Sequence, residues 1–288
     1  MSGFEGLRVL ALESRRAPEL AKLISTYGGQ PMVAPSMREV PLESNKEALA
    51  FAAALFAGEF DMLVFLTGVG ARALQSVVET AHKREDYLAA LRRIPIVARG
   101  PKPVAFLREL DITPALTAPE PNTWRELLRA FDDAASSNAA VRLQGARVAV
   151  QEYGVSNTEL LNGLTERGAR VTRVPVYQWA LPDDLARLRG AISAIAEGTI
   201  DVVLFTTGVQ ATHLFQVAAE MKLEEKMLLG LKRALVASIG PTTTEELVRR
   251  GIQPDLEPSH PKMGFLVKET AERAGELLLA KRKRKVSV

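Results

Sequence analysis

The stretch that decides the fold is Asp201–Gln210, D-V-V-L-F-T-T-G-V-Q. Its segment Val202–Phe205 is uniformly apolar and rich in β-formers, as expected of a parallel strand covered on both faces. Thr206, Thr207 and Gly208 then offer two hydroxyls and a flexible backbone where the strand ends. The stretch therefore predicts a buried strand that leads through a small-residue turn directly into a helix.

A near-copy of this stretch lies 140 residues earlier, at Asp61–Gly70, D-M-L-V-F-L-T-G-V-G. The same offset relates glycines and prolines along most of the chain. The identical pairs are Asp61/Asp201, Phe65/Phe205, Thr67/Thr207, Gly68/Gly208, Val69/Val209, Gly28/Gly168, Pro35/Pro175, Gly100/Gly240, Pro101/Pro241, Ile112/Ile252, Pro114/Pro254 and Pro121/Pro261. A fixed register of this kind indicates a tandem duplication of about 140 residues. A protein that builds this strand–turn–helix unit twice is expected to use both turns together.

Strands and helices are predicted to alternate through both halves, which is typical of an α/β protein with parallel sheets. Each half holds five predicted strands, the number found in a flavodoxin-like doubly wound domain. The last strands of the two halves are predicted at about Ile112–Leu116 and Ile252–Leu256. Connectors at Ser36–Pro41 and Thr172–Trp179 follow the second strand of each half. The lobes could therefore be built sequentially or by exchange of strands between the halves, and the patterns leave both arrangements open.

The composition is that of an ordinary globular chain of 288 residues, with no cysteine, a net charge of +3 and a pI of about 9.1. Without cysteine there are no disulfides, thiol nucleophiles or thiolate metal ligands, which fits a cytoplasmic enzyme. No signal peptide is evident, and the longest apolar stretch, near Leu49–Ala57, is too short to cross a bilayer about 30 Å thick. We therefore expect a cytoplasmic monomer with no membrane partner and no nucleic-acid partner.

A basic cluster, K-R-K-R-K, occupies Lys281–Lys285 near the C-terminus. It predicts a disordered, solvated tail over residues 281–288, with a nucleic-acid contact as the minor alternative. Trp124 and Trp179 are too isolated to form a stacking platform for bases, which also disfavours nucleic-acid binding.

The sequence lacks the usual patterns of metal and nucleotide sites. His82, His213 and His260 lie far apart, with neither metal-ligand spacing nor a Ser–His–Asp order. No G-x-G-x-x-G follows the first strand and no Walker loop is present. The turn Thr206–Gly208 follows a middle strand, which disfavours a flavin phosphate site. His213 is expected on a solvated helix face, with a position at the edge of a ligand cleft as the alternative.

Five short motifs resemble the uroporphyrinogen-III synthase family in their order and spacing. They are Gln151-Glu152-Tyr153-Gly154, Val174-Pro175-Val176-Tyr177, Leu204-Phe205-Thr206-Thr207-Gly208, Ser238-Ile239-Gly240-Pro241-Thr242-Thr243 and Ser259-His260-Pro261-Lys262-Met263-Gly264. The first and the last are similar to the bacterial branch of the family, and the resemblance covers the chain up to the basic tail. The segment Arg99-Gly100-Pro101-Lys102-Pro103 departs from the family pattern, which has a Gly-x-x-Thr type of turn there.

The resemblance implies an α/β fold of two flavodoxin-like doubly wound lobes with parallel sheets, joined by a two-stranded connector. One lobe would contain residues 1–38 and 177–288 and the other residues 39–176, which is the exchanged arrangement. The resemblance also implies a reaction that uses no metal and no organic cofactor. The linear tetrapyrrole hydroxymethylbilane loses water and is cyclised to uroporphyrinogen III with inversion of ring D, a step of haem biosynthesis.

Candidate substrate ligands lie in loops beyond the carboxyl ends of the predicted strands, where open α/β sheets bind ligands. Helix N-termini and hydroxyls in such loops suit the eight carboxylates of this substrate. The candidates are Thr67, Gly68, Arg99, Lys102, Gln151, Tyr153, Thr206, Thr207, Gly208, Gly240, Thr242, Thr243 and Lys262. A hydroxyl of Thr242 or Thr243 could instead cap a helix predicted to begin near Glu245. Arg99, Lys102 and Lys262 could also be ordinary solvated surface charges.

The candidate catalytic residue is Tyr177. Loss of the substrate hydroxyl benefits from a proton donor, and the family motif puts its tyrosine near the connector at the mouth of the cleft. The repeat partner of Tyr177 is Met37, so the duplication did not require a tyrosine there. Packing at the lobe junction is the alternative role, and Tyr153 is a weaker candidate donor.

A second class of function fits the same patterns. Duplicated α/β lobes around a hinge also build binding proteins. A non-catalytic two-lobed binding or sensor protein for a polyanionic small molecule is therefore the alternative to the cyclase. Turnover separates the two, because a binding protein would retain its ligand unchanged.

Overall fold

The computed structural model describes residues 3–41, 45–152, 154 and 156–286. The chain divides into two compact units. Unit 1 is Met1–Arg38 with Ala180–Val288, and unit 2 is Glu39–Trp179. Each unit is built around its own parallel sheet.

The sheet of unit 1 has the strands β1 (Arg8–Ala11), β2 (Gln30–Val33), β10 (Val202–Phe205) and β11 (Leu235–Ser238). Their order is β11-β10-β1-β2, and all neighbours are parallel. Leu10 of β1 lies opposite Val203 of β10, so the first and second halves of the chain meet in this sheet. Leu256 adds a single parallel bridge to Ala237 at the edge.

The sheet of unit 2 has the strands β4 (Met62–Phe65), β5 (Ile96–Ala98), β6 (Leu116–Thr117), β7 (Arg147–Glu152) and β8 (Arg170–Pro175). Their order is β6-β5-β4-β7-β8, again parallel throughout. Strands from both halves pair here too, since Leu63 lies opposite Ala149. A separate two-stranded sheet of β3 (Arg38–Pro41) and β9 (Tyr177–Ala180) lies where the chain passes between the units.

Helices connect the strands and cover both faces of each sheet. The helices of unit 1 are α1 (Ala17–Thr26), α8 (Ala186–Glu197), α9 (Gly208–Glu220), α10 (Glu224–Arg233), α11 (Pro241–Arg249) and α12 (Met263–Val286). Those of unit 2 are α2 (Lys46–Phe56), α3 (Gly68–Glu79), α4 (Arg84–Leu91), α5 (Pro101–Glu109), α6 (Trp124–Ala134) and α7 (Thr158–Glu166), with a 3-10 turn at Ala139–Val141.

Alternate residues of each strand enter different hydrophobic cores. Leu10, Val203 and Phe205 pack with α8, α9 and α10, whereas Val9 and Leu204 pack with α1 and α12 on the other face. In unit 2, one face of the sheet packs against α2–α5 and the other against α6 and α7. The predicted α/β class with doubly wound parallel sheets and a two-stranded connector is therefore confirmed.

The last predicted strand of each half is shorter than expected. Only Leu116–Thr117 pairs in unit 2, and in unit 1 only Leu256 forms a bridge. Pro114 and Pro254 precede these pairs and have no N–H group to donate to a ladder, which limits both strands.

The basic tail prediction is wrong for the residues that the structure describes. Helix α12 continues to Val286, so Lys281–Lys285 extend a helix. Lys281 lies against another part of unit 1, with its Nζ 2.6 Å from Asp255 Oδ2, which anchors this part of α12. Over the described part of the chain, no helix combines the length and apolar character needed to span a membrane.

Candidate functional site

The unit 1 edge consists of the loops beyond the carboxyl ends of β1, β10 and β11, including Glu13, Thr206, Thr207 and Gly240. Helices α1, α9 and α11 begin directly after these loops. Each helix start has backbone N–H groups without an intrahelical partner and the positive end of the helix dipole. The parallel strands bring these starts to one edge of the sheet, which makes the unit 1 edge suited to anions.

Thr206 links two loops of the unit 1 edge. Its Oγ1 donates to Glu13 Oε2 at 2.6 Å and accepts from Gln210 Nε2 at 2.8 Å, while its N–H donates to Gln210 Oε1 at 2.8 Å. Gln210 is fully buried in the first turn of α9. The hydroxyl of Thr206 thus already binds one carboxylate of the protein, and a substrate carboxylate there would have to replace Glu13.

The two equivalent threonines at the helix starts are used differently. Thr67 caps α3, because its side chain accepts a hydrogen bond of 3.0 Å from the N–H of Gly70. Thr207 occupies the same position before α9 in an extended conformation, but its side chain makes no cap hydrogen bond. The duplication therefore conserves the turn while leaving the hydroxyl of Thr207 uncommitted to its helix.

Thr242 and Thr243 lie in the first turn of α11 rather than in a loop. The helix begins at Pro241, with Gly240 at the N-cap, so the predicted start near Glu245 and the capping role of a threonine hydroxyl are wrong. Proline at the first helical position fits because its missing N–H group has no intrahelical role there. Thr243 is buried, whereas Thr242 is exposed.

Lys262 is exposed at the residue before α12. The loop that leads to it passes the unit 1 edge, because a Cβ at Gly240 would lie 3.4 Å from Pro261 Cβ. Gly208 lies nearby on the same edge, where its Cβ would approach Glu246 of α11 to 3.1 Å. The structure thus gathers the turns of Gly208, Gly240 and Lys262 at one end of unit 1.

The unit 2 edge consists of the loops beyond the carboxyl ends of β4, β5 and β7, including Thr67, Gly68, Arg99, Gln151 and Glu152. Gly68 brings two helix starts together, since a Cβ at this residue would lie 2.6 Å from the carbonyl oxygen of Lys102. Lys102 belongs to the first turn of α5, with its side chain exposed. The N–H group of Arg99 donates to the carbonyl of Phe65 at 3.0 Å, which fixes its loop against β4.

Two buried polar side chains end β7 at the unit 2 edge. Gln151 is fully buried, and its Nε2 donates to the carbonyl of Glu152. Within the described residues, neither Gln151 Oε1 nor Glu152 Oε1 has a hydrogen-bond partner. Buried acceptors without a donor are uncommon in folded proteins, so these two mark the end of β7 as unusual. The candidate Tyr153 follows them but lies outside the described residues.

Tyr177 lies at the start of β9 in unit 2. Its side chain is 5% exposed, and its ring packs edge-to-face on Trp179 with the centroids 5.5 Å apart. The carbonyl of Tyr177 accepts from the N–H of Gly154 at 3.2 Å, so the residue lies beside the loop that follows β7. The structure therefore brings Tyr177 next to the unit 2 edge, in a packed and oriented position.

His213 is buried, contrary to the expected solvated position. Its side chain is 7% exposed, and Nδ1 lies 2.7 Å from the carbonyl oxygen of Ser36. Because a carbonyl can only accept, Nδ1 carries the proton. Burial lowers the pKa of His213, and the bond to Ser36 opposes this shift only in part. In the part of the chain that the structure describes, no three His, Cys, Asp or Glu side chains are grouped to hold a metal.

Comparison with known proteins identifies the family. The family model that matches this chain is that of uroporphyrinogen-III synthase HemD, and the match covers residues 18–268. The chain belongs to this family. The resemblance of the five sequence motifs is thereby confirmed, and the family and its structural neighbours support a role in tetrapyrrole synthesis.

The chain is similar to relatives over nearly its whole length. A Bacillus subtilis protein, YjjA, described as uncharacterized, is 29% identical over 271 residues, which cover 94% of this chain and 97% of that protein. A Methanothermobacter thermautotrophicus protein, provisionally named as a uroporphyrinogen-III synthase, is 29% identical over 241 residues, covering 82% of this chain and 87% of its own. The crystal structure of a mutant uroporphyrinogen III synthase from Thermus thermophilus matches with a TM-score of 0.71 at 25% identity, covering 94% of this chain and 99% of that chain.

Sequence reasoning missed several polar residues at these edges. Glu13 follows a buried strand, which is a signal that could have found it. Glu152 was recognised at the end of its strand within the motif Gln151-Glu152-Tyr153-Gly154, but no role was assigned to it. Gln210 differs from its repeat partner Gly70, and this departure from the repeat also marks a special position. Arg173 carries no such signal, because its contact with Glu152 arises from the pairing of β7 with β8.

Proposed function

We propose that this protein cyclises hydroxymethylbilane to uroporphyrinogen III, with inversion of ring D and loss of water. The observation that carries the proposal is the family match over residues 18–268. The geometry of each edge, taken by itself, supports it, because helix starts suit the carboxylates of such a substrate.

The proposed carboxylate ligands are the helix starts at the two edges. Helices α9 and α11 start at the unit 1 edge, and α3 and α5 start at the unit 2 edge. Their N-terminal N–H groups can donate to carboxylates without any charged side chain. The proposed set is Thr67, Gly68, Arg99, Lys102, Gln151, Tyr153, Thr206, Thr207, Gly208, Gly240, Thr242, Thr243 and Lys262.

Tyr177 is the proposed proton donor. Its phenol hydroxyl can act as a general acid and transfer a proton to the departing hydroxyl group. The proton leaves with that hydroxyl as water, and electron density from the pyrrole nitrogen stabilises the methylene carbon. The edge-to-face contact with Trp179 restricts the orientation of the phenol, which favours a positioned donor.

The test is turnover of freshly prepared hydroxymethylbilane, with the products oxidised to porphyrins and separated by isomer. The proposal predicts type III product that forms in proportion to the protein concentration. A protein that binds hydroxymethylbilane tightly but releases it unconverted would instead be the binding or sensor protein. Formation of type I product alone, at the spontaneous rate, contradicts the proposed reaction.

A further inference from the structure

A buried carboxylate holds an exposed arginine beside the unit 2 edge. Glu152 Oε2 accepts from Arg173 Nε at 2.9 Å and from Ser156 Oγ at 3.0 Å. Arg173 Nη2 also donates to Ser156 Oγ, which closes a three-residue cluster. The side chain of Glu152 is 5% exposed, whereas that of Arg173 is 57% exposed. The cluster therefore consists of a buried carboxylate, that of Glu152, and a guanidinium that reaches the surface, that of Arg173.

This arrangement differs from other ion pairs of unit 2. In the pairs Arg72–Glu109 and Arg147–Asp61, both partners are exposed to a similar extent. Exposed pairs of this kind contribute little to stability, because water screens both charges. Glu152 cannot move away from its buried site at the end of β7, so it fixes the direction of the Arg173 guanidinium.

The other half of the chain provides an internal control for this cluster. At the offset of 140 residues, Glu152 corresponds to Leu12 and Arg173 corresponds to Val33. Leu12 is fully buried, so the same strand end packs well with an apolar side chain in unit 1. The fold alone does not require a carboxylate at this position. An ion pair with a buried member is often replaceable by apolar residues without loss of stability, so the buried carboxylate of Glu152 in unit 2 calls for another reason.

We propose that Arg173 binds a carboxylate of the substrate and that Glu152 is the positioning residue that holds it. The inference rests on the proposed function, which supplies a polycarboxylate substrate. With Nε on Glu152 and Nη2 on Ser156, Nη1 makes no hydrogen bond to any described residue. An oriented guanidinium forms stronger and more specific bonds to a carboxylate than a mobile ammonium does. Helix α7 is capped by Asn157, the residue after Ser156. The N–H groups of its first turn would also attract a carboxylate.

The experiment measures kcat and KM for hydroxymethylbilane in variants of the cluster. Arg173→Ala is expected to raise KM about tenfold or more with kcat changed less than about twofold, because the lost bond exists in both ground and transition states. Arg173→Lys keeps the positive charge but lacks the planar guanidinium with its several donors, so it is expected to give an intermediate KM. The control is Arg167→Ala, at the C-terminal end of α7, where the arginine pairs with Asp132. Its KM is expected to be unchanged.

A double-mutant comparison tests the positioning role. Glu152→Gln is expected to raise KM less than Arg173→Ala does, and to add nothing in the Arg173→Ala background. An equal effect of Glu152→Gln in both backgrounds would contradict positioning. If Arg173→Ala lowers the unfolding temperature but leaves KM unchanged, the cluster is structural and the inference is wrong.

A probe that needs no turnover separates this inference from the proposed function. Uroporphyrin I is a stable, fluorescent polycarboxylate, and its binding can be titrated directly to the wild-type protein and to Arg173→Ala. If the wild-type protein forms no type III isomer, the proposed function fails. Weaker uroporphyrin binding by Arg173→Ala would then still support a carboxylate site, and equal binding would overturn it.

Discussion

Gln151 occupies the space that a side chain at Gly70 would require. A Cβ at Gly70 would lie 2.0 Å from Gln151 Nε2 and 2.6 Å from its Cδ. At the offset of 140 residues, Gly70 corresponds to Gln210 and Gln151 corresponds to Ala11. In unit 2 the glutamine is on the strand and the small residue on the helix, and in unit 1 this is reversed. Each sheet edge thus has one buried glutamine, supplied by β7 in unit 2 and by α9 in unit 1.

Gly70→Ala is expected to destabilise the protein by about 1–3 kcal/mol, because the new Cβ would have to displace the fully buried side chain of Gln151. Adding Gln151→Ala should recover part of this loss, since the clash disappears. Urea unfolding followed by circular dichroism measures both free energies. The control is Gly190→Ala in the middle of α8, where a Cβ meets nothing within 4 Å. This control should stabilise the protein by about 0.5–1 kcal/mol. A neutral Gly70→Ala would show that Gln151 is not confined.

The two equivalent threonines should respond differently to the same substitution. Thr67→Ala removes the cap of α3 and is expected to cost about 1 kcal/mol of unfolding free energy. Thr207→Ala removes no cap hydrogen bond, so its cost should stay within about 0.5 kcal/mol. If Thr207 binds a substrate carboxylate, KM for hydroxymethylbilane should rise in this variant. Equal stability losses for both variants would contradict the assigned difference in capping.

Tyr177→Phe is expected to reduce kcat by about a hundredfold or more while KM changes little, because the proton donor is lost and the packing shape is kept. Steady-state kinetics with hydroxymethylbilane measures both constants. An unchanged kcat would remove Tyr177 from the mechanism without affecting the family assignment.

Tyr87→Phe is the matched control for this tyrosine. The hydroxyl of Tyr87 is buried without a hydrogen-bond partner in the described residues, and burial raises the pKa of this tyrosine. Removal of this hydroxyl should leave kcat unchanged. The free energy of unfolding should stay the same or rise by up to about 1 kcal/mol. A loss of kcat here would show that removal of a buried tyrosine hydroxyl lowers turnover by itself, and the effect of Tyr177→Phe could then not be assigned to a lost proton donor.

His213 should make the stability of the protein depend on pH. Burial lowers its folded pKa below the usual value, so the folded state favours the neutral ring. As the pH falls below about 6.5, the unfolded chain takes up a proton before the folded one does, and stability is lost by at most about 1.4 kcal/mol per pH unit. Urea unfolding between pH 7.5 and 5.5 should therefore show a steeper loss in the wild type than in His213→Gln. Equal slopes would contradict this role of His213.

The repeat made much of the fold predictable from the sequence. The pattern of Asp61–Gly70 and Asp201–Gln210 predicted both buried strands and both helix starts, because short apolar runs and Thr-Gly turns are local signals. The pairing of β1 with β10 and of β4 with β7 depends on contacts between distant segments. The residue patterns left that choice open, since periodicity does not specify which strands become neighbours.

Some helix boundaries were missed although a signal was present. Pro101 and Pro241 stand at the first position of α5 and α11, where proline is favoured, yet both segments were interpreted as loops. Helices α4 and α10 were not predicted. Each begins with three charged residues, Arg84, Glu85 and Asp86 in α4 and Glu224, Glu225 and Lys226 in α10, and each is short, so its apolar pattern is weak.

The candidate site was predictable at the level of loops but not of contacts. Thr206 and Thr207 were found because they follow a recognisable strand. The bond from Thr206 to Glu13 joins residues 193 positions apart in the chain, so it depends on the tertiary fold. The same holds for Arg173 and Glu152, which meet only because β8 pairs with β7.

The most direct test of the central claim is the isomer ratio of the product. Hydroxymethylbilane is generated in place, divided between samples with and without the wild-type protein, and analysed as oxidised porphyrins after a short fixed time. The account predicts that type III product predominates with the protein present and that its amount scales with protein concentration. Type I product in the same amount as in the protein-free sample, with no excess of type III, would contradict the account.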